Sequence, residues 1–152
     1  MNIDFHAHIY PEDYLKKLEA SSGDVRIETD AKGEKWILSM GARAGPIIPD
    51  FFDTDVRVDR IKEHRVDMQI LSSPHPGVDR FSPDESAEMS RIINDGIAKA
   101  VRKYPKQFQG LAMLPLVDTK LALKELDRAV LDLGLKGMCM LTNVAGKMVD
   151  SE

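Results

Sequence analysis

Cysteine is almost absent from this sequence, since Cys139 is the only one in 152 residues. One cysteine cannot form a disulfide within the chain, which excludes a disulfide-stapled fold and predicts a cytoplasmic protein. Runs of Lys or Arg are also absent, and the net charge of −4 does not fit a nucleic-acid-binding surface. No apolar run approaches the roughly 20 residues of a membrane-spanning helix, so no membrane partner is expected.

The sequence does contain a regular alternation of apolar strands and amphipathic helices. Near-continuous apolar segments lie at 1–8, 67–72, 108–113 and 136–141, and helical patterns separate them. Such strands indicate a parallel sheet that is buried on both faces, which is the α/β class. Four strands are half of the eight that close a TIM barrel.

One segment does not follow this alternation. Residues 24–40 hold two runs of alternating polarity around the turn Asp30-Ala31-Lys32-Gly33, which predicts a β-hairpin inserted into the main pattern. The glycines and prolines of 41–49 predict an irregular loop after it.

His6 and His8 are the most informative pair of side chains. Residues i and i+2 of a strand leave the same face, so the two imidazoles are expected side by side, with Asp4 one step below. Two neutral imidazoles can hold one metal ion if other elements bring further ligands. The alternative is a polar pair that is satisfied by backbone groups. Asp4 either orients an imidazole or makes a structural hydrogen bond.

Other polar residues follow the ends of the predicted strands, where parallel β/α folds bind ligands. His75 and Asn143 are candidates for substrate contacts, with a plain surface histidine and a turn cap as the alternatives. Arg43, in the Gly/Pro-rich loop, could grip a substrate carboxylate. His64 and Cys139 are interpreted as structural residues.

Five blocks along the chain resemble the amidohydrolase superfamily, and within it the branch typified by aminocarboxymuconate-semialdehyde decarboxylase. The blocks occur in the same order as in that family and extend over nearly the whole chain. They are Asp4–Pro11, Val66–Ser73, Gly110–Leu116, Leu133–Met138 and Thr142–Gly146.

The resemblance implies a (β/α)8 TIM barrel of the metal-dependent hydrolase type, with one divalent metal at the C-terminal face. The metal is zinc, or alternatively manganese, and its first two ligands map onto His6 and His8. The family's later ligands and its catalytic histidine have no counterpart, so no catalytic residue is assigned. Residues 1–152 are therefore expected to form the N-terminal part of one barrel domain, truncated after the fourth strand. The family usually has glycine where this chain has Arg65, so the helix before that position is expected to end differently.

The function implied by the resemblance is a carboxy-lyase that acts on a small planar carboxylated substrate. A hydrolase of the same superfamily is the alternative within the family. A half barrel would leave strand edges unpaired. An inactive remnant, or a module that forms homo-oligomers, is therefore the alternative from another class.

Overall fold

A computed structural model describes residues 1–148 and 150 of the chain. Parallel strands with helices between them form the main part, and two small antiparallel units are added to it. The strands are β1 (Ile3–His8), β2 (Arg26–Thr29), β3 (Lys35–Ser39), β4 (Ala42–Pro46), β5 (Met68–Ser72), β6 (Phe108–Gly110), β7 (Asn143–Val144) and β8 (Lys147–Met148). The helices are α1 (Glu12–Glu19), α2 (Pro49–Phe52), α3 (Thr54–Glu63), α4 (Pro83–Lys103) and α5 (Thr119–Asp127), and α5 continues as a π-helical turn over Arg128–Asp132.

The main sheet has the order β1-β5-β6, and both pairings are parallel. The predicted parallel sheet is therefore confirmed for its first three strands. Its core includes the fully buried side chains of Leu71, Ile93, Ile97 and Phe108, which bring the strands against α4. Burial of such side chains supplies about 1.5–3 kcal/mol each before the entropy cost of ordering them.

The fourth predicted strand is reduced to a single parallel bridge between Ala112 and Met138. The Ala112 N–H donates to the Gly137 carbonyl at 2.8 Å, and the Cys139 N–H donates to the Ala112 carbonyl at 2.9 Å. Gly134 and Gly137 both have positive φ, 73° and 155°. The chain turns at these two glycines, and the predicted strand over 136–141 was therefore too long.

A separate three-stranded antiparallel sheet, β2-β3-β4, occupies the region of the predicted hairpin and extends beyond it. β2 and β3 are the two runs within 24–40. β4 was predicted to be an irregular loop, and this was wrong. β4 is an edge strand in which Gly45 pairs with Ile37 and Pro46 stands at the end, a place where glycine and proline are tolerated.

Three of the helices begin with side-chain caps. Ser82 and Glu85 form the reciprocal capping box of α4, and the carboxylates of Asp53 and Asp118 accept backbone N–H groups at the starts of α3 and α5. No helix in the described part of the chain is long and apolar enough to cross a membrane.

The end of α3 passes through Arg65 in the left-handed conformation, with φ 57°. The Val66 N–H reaches back to the Ile61 carbonyl at 3.0 Å, so the helix still ends in the turn that usually carries glycine, against the expectation of a different end. A non-glycine residue pays about 1 kcal/mol for this conformation.

We therefore expect Arg65→Gly to raise the free energy of unfolding by up to about 1 kcal/mol. The hydrogen bond from Asn2 Nδ2 to the Arg65 carbonyl involves the backbone and survives the change. Urea unfolding of the variant and of the original chain measures the difference. An unchanged or lower urea midpoint would show that Arg65 carries no strain.

Candidate metal centre

His6 and His8 lie together at the C-terminal end of β1. Their ring centroids are 4.7 Å apart and the ring planes meet at 76°. The His6 side chain is exposed and that of His8 is half-buried. The structure thus brings the two predicted imidazoles close enough to face one shared ligand.

His8 is held by the neighbouring strand. Its Nδ1 lies 2.8 Å from the hydroxyl of Ser72, which is buried at the end of β5. When Nδ1 carries the proton and donates it to this hydroxyl, Nε2 presents its lone pair, as in most metal-bound histidines. Burial, and then the nearby His6 and Arg57, lower the pKa of His8, which favours the neutral ring that binds metal ions.

Strict strand alternation is interrupted just below the pair. β1 advances three residues between Asp4 and Ala7 while β5 advances two, from Gln69 to Leu71, so β1 contains a bulge. The Asp4 carboxylate accepts the His6 N–H at 3.0 Å. Its second oxygen accepts a hydrogen bond from Gln69 Nε2 at 2.8 Å. These two hydrogen bonds join Asp4 to the backbone of His6 and to the Gln69 amide, and neither goes to an imidazole ring.

Arg57 completes this group and was missed by the sequence interpretation. Its side chain extends from α3, is buried, and donates to the carbonyl oxygen of His8. A second donor of the same guanidinium reaches Gln69 Oε1 at 3.1 Å. One feature of the sequence could have indicated this role. Arg57 lies beside the apolar stripe of Val58 and Ile61 on α3, where a buried charge needs polar partners.

His75 lies in the loop after β5, as predicted, and its side chain is exposed. The buried Tyr10 hydroxyl donates to the His75 carbonyl at 3.3 Å. Asn143 is half-buried in β7. β7 pairs with β8 in an antiparallel hairpin. The loop that carries His75 contacts this hairpin, because the Ala145 N–H donates to Asp79 Oδ2 at 3.0 Å.

Arg43 lies on β4, in the antiparallel sheet. Its guanidinium pairs with Asp30 at 2.9 Å and stands 4.3 Å above the Trp36 ring. These contacts stabilise that sheet and do not join Arg43 to the histidines. Its predicted grip on a substrate carboxylate stays a prediction.

The buried Tyr10 makes the folded state less stable at alkaline pH. Burial raises the pKa of Tyr10 to about 12 from an ordinary value of 10.0. Between these values the unfolded chain releases the proton and the folded chain keeps it, so the stability falls as the pH rises. We expect the free energy of unfolding to fall between pH 9 and pH 11 in both proteins, and to fall by about 1 kcal/mol less in Tyr10→Phe than in the original chain.

Urea unfolding at several pH values tests this prediction. Tyr14 titrates in the same direction, because burial also raises its pKa, and it is present in both proteins. The difference between the two curves therefore reports mainly on Tyr10, whose charge is also the smaller of the two causes that raise the pKa of Tyr14. Parallel curves would contradict the prediction.

The donors fit part of a metal site. Two imidazoles supply two positions of a divalent ion, and zinc usually takes four. Among residues 1–148 and 150, no group of three or more His, Cys, Asp and Glu side chains could hold a metal ion. Cavities of about 390, 250 and 570 Å³ lie elsewhere, and neither His6 nor His8 lines any of these three.

Comparisons with known proteins place these features in a family context, although no protein-family profile matches the sequence. The 2-amino-3-carboxymuconate-6-semialdehyde decarboxylase of Dictyostelium discoideum is 31% identical over 153 residues, which is 99% of this chain and 43% of that protein. The chain thus spans less than half the length of this relative.

Two solved structures show the same likeness. The dihydroxybenzoic acid decarboxylase of Polaromonas sp. JS666, solved with bound manganese and the inhibitor 2-nitroresorcinol, superposes with a TM-score of 0.64 and 30% identity. This match covers 91% of our chain and 38% of the other. The Metarhizium anisopliae IDCase in apo form gives a TM-score of 0.85 at 19% identity, covers 99% of our chain and 44% of the other, and supports the fold alone.

The structural neighbours are amidohydrolase TIM-barrel proteins, and the three-stranded parallel sheet with its helices is compatible with part of such a barrel. The chain is therefore a relative of the amidohydrolase-superfamily decarboxylases of the aminocarboxymuconate-semialdehyde type, and it corresponds to roughly 40% of their length.

Proposed function

We propose that this chain carries the first part of the active site of a metal-dependent carboxy-lyase that acts on a small planar carboxylated substrate. One observation carries the proposal, namely the two imidazoles 4.7 Å apart at the C-terminal end of β1. The decarboxylases among its relatives support the reaction class, and the bound manganese of one neighbour supports a divalent metal. Zinc and manganese are the two candidates.

The chain's own residues have distinct roles in this proposal. His6 and His8 hold the metal, and Ser72 fixes the His8 ring by its contact with Nδ1. A bound divalent ion supplies Lewis-acid chemistry, which favours the charged form of a carboxylated substrate. His75, in the loop after β5, and Asn143, in β7, contact the substrate in this proposal. Arg43 does so only if it leaves Asp30.

The remaining ligands come from outside the described residues in this proposal. In this proposal residues 1–152 belong to one TIM-barrel domain, and the location is cytoplasmic. Within the described residues β1 pairs with β5 alone, and Phe5 on it is 72% exposed. An open strand edge of this kind is where further barrel strands would pair.

Metal content after gel filtration tests the proposal. The chain is loaded with zinc or manganese, passed through the column and compared with the double variant His6→Ala/His8→Ala. His64→Ala, which changes an exposed histidine at the end of α3, is the matched control. We expect metal to co-elute with the original chain and the control, and to be lost from the double variant. Equal metal in all three proteins would contradict the proposal.

Release of carbon dioxide from 2,6-dihydroxybenzoate separates a lyase from the alternatives. This compound is a substrate-class probe, because related structures are named 2,6-dihydroxybenzoate decarboxylases. Metal-loaded chain should release carbon dioxide faster than the His6→Ala/His8→Ala variant. Metal binding without release would favour a superfamily hydrolase or a non-catalytic module.

The non-catalytic alternative has an observation of its own. Ile3 and Phe5 on the open edge strand are exposed, as is Met1 just before it, which favours self-association of the chain. Sedimentation velocity distinguishes the two functions when it is combined with the metal measurement. A stable oligomer that carries no metal would support the module and contradict the enzyme.

A further inference from the structure

The hydrogen bonds beneath the two histidines form one continuous series. Arg57 donates to the His8 carbonyl and to Gln69, Gln69 donates to Asp4, and Asp4 accepts the backbone N–H of His6. This series of hydrogen bonds is called the Arg57–Gln69–Asp4 relay. It begins and ends on the backbone of the two candidate ligands. The hydrogen bonds of Arg57 and Gln69 in this series go to a backbone carbonyl, an amide and a carboxylate, and none goes to an imidazole nitrogen.

The chemistry of the end groups fixes the direction of the relay. A guanidinium only donates hydrogen bonds and a carboxylate only accepts them. The Gln69 amide must therefore turn its oxygen to Arg57 and its nitrogen to Asp4. Because this leaves a single arrangement, the relay can hold the β1 bulge in one geometry.

The bulge is what the relay stabilises. Because of the extra residue in β1, the His6 N–H leaves the regular ladder between β1 and β5. It donates to the Asp4 carboxylate instead of to β5. On the other side, the Arg57 guanidinium holds the His8 carbonyl. The relay thus restrains the backbone on both sides of Ala7, which sets the separation of the two rings.

We propose that Arg57, acting through Gln69 and Asp4, is a positioning residue that pre-orients His6 and His8 for metal binding. This inference rests on the proposed metal site but concerns residues that are not ligands. Groups that orient metal ligands commonly contribute 10–100-fold to metal affinity.

A swap of chemistry within the relay tests this inference. Asp4→Asn alone turns an amide nitrogen toward the Gln69 nitrogen, and Gln69→Glu alone places two carboxylates side by side. In the double variant Asp4→Asn/Gln69→Glu, the new amide donates to the new carboxylate, which still accepts from Arg57. The amide oxygen at position 4 still accepts the His6 N–H. The double variant therefore restores every hydrogen bond with the two chemistries exchanged.

Zinc affinity, measured by competition with a chromophoric chelator, is the first readout. We expect each single variant to bind zinc about tenfold more weakly, and the double variant to bind within about twofold of the original chain. Arg60→Met is the matched control, because Arg60 lies on the same helix and makes only exposed ion pairs with Asp50 and Glu63. The inference would be overturned if the single variants bound zinc as tightly as the original chain. It would also be overturned if the double variant lost as much zinc affinity as the two single variants together.

Long-range 1H–15N spectra of the metal-free imidazoles give a second readout that does not need the metal. The 15N chemical shifts of the His6 and His8 ring nitrogens should change in each single variant and should return to their original values in the double variant. If the original chain binds no zinc but this pattern is seen, the proposed function fails and the positioning role stands. If zinc binds and the spectra and affinities do not change among the variants, the proposed function stands and the positioning role is wrong.

Discussion

Replacing Asn94 with leucine is expected to cost about 3–5 kcal/mol of folding free energy, the largest effect of any single change considered for this chain. Asn94 is fully buried in α4 and its amide makes three hydrogen bonds. Two of them, at 2.9 and 2.8 Å, hold the carbonyl and N–H of Met113 beyond β6, and the third reaches the buried Glu125 at 2.7 Å.

Leucine has a similar size but satisfies none of these groups. Both backbone groups of Met113 would stay buried without their partner, and the Glu125 carboxylate would keep only Arg128. The two Met113 groups cost about 1–3 kcal/mol each, and the weakened Glu125 carboxylate adds to this, so the expected total lies at about 3–5 kcal/mol. Because native domains are stable by about 5–15 kcal/mol, such a loss could leave little folded protein.

Urea unfolding of Asn94→Leu beside Asp95→Asn makes this test specific. Asp95 is the next residue and pairs with Arg128 at 2.6 Å, but its side chain is 55% exposed. Exposed ion pairs contribute about 0–1 kcal/mol, so the control should stay close to the original chain. A loss below about 1 kcal/mol for Asn94→Leu would contradict the importance of this network.

Gly96→Ala is the second large effect, with an expected net loss of about 2 kcal/mol. A Cβ atom on Gly96 would stand 2.3 Å from Cβ and 2.6 Å from Cγ of Pro11. The proline ring has no rotamer that moves it away, so α4 and the start of α1 must separate. Overpacking of this kind costs about 1–3 kcal/mol or somewhat more, and the better helix propensity of alanine returns only about 1 kcal/mol.

The matched control for this change is Gly23→Ala. A Cβ atom there would have only Ser21 Oγ at 3.5 Å, which is an ordinary contact distance. Thermal unfolding should show a clearly lower midpoint for Gly96→Ala and almost no change for Gly23→Ala. A midpoint for Gly96→Ala at or above that of the original chain would show that the helix contact can relax.

The helix starts and the order of the elements depend on local signals in the sequence. The capping box of Ser82 and Glu85 and the caps at Asp53 and Asp118 are fixed by residues within three positions of each other. The order of strands and helices likewise follows from the hydrophobic pattern, because each repeat buries its own apolar face.

The errors occur where distant residues decide the structure. Residues 42–46 form a strand because β3 offers a partner edge, although glycine and proline disfavour strands locally. Strand length over 136–141 depends on the backbone of Gly137 and on what pairs beside it. Neither condition can be read from the residues of the segment alone.

The candidate site shows the same division. The spacing of His6 and His8 predicts that they lie on one face of a strand, and their rings do lie together. The bulge in β1 and the buried Arg57 arise from contacts across about 50 to 65 residues of sequence, such as the one between Asp4 and Gln69. A sequence pattern with a period of two residues has no means of indicating either feature.

X-ray absorption spectroscopy of the zinc-loaded chain tests the central claim, that His6 and His8 bind a metal ion, most directly. The account predicts imidazole nitrogen scatterers at about 2.0–2.1 Å from zinc, and their loss in the His6→Ala/His8→Ala variant. A coordination shell of oxygen atoms alone, or an imidazole signal that is equally strong in the double variant, would contradict it.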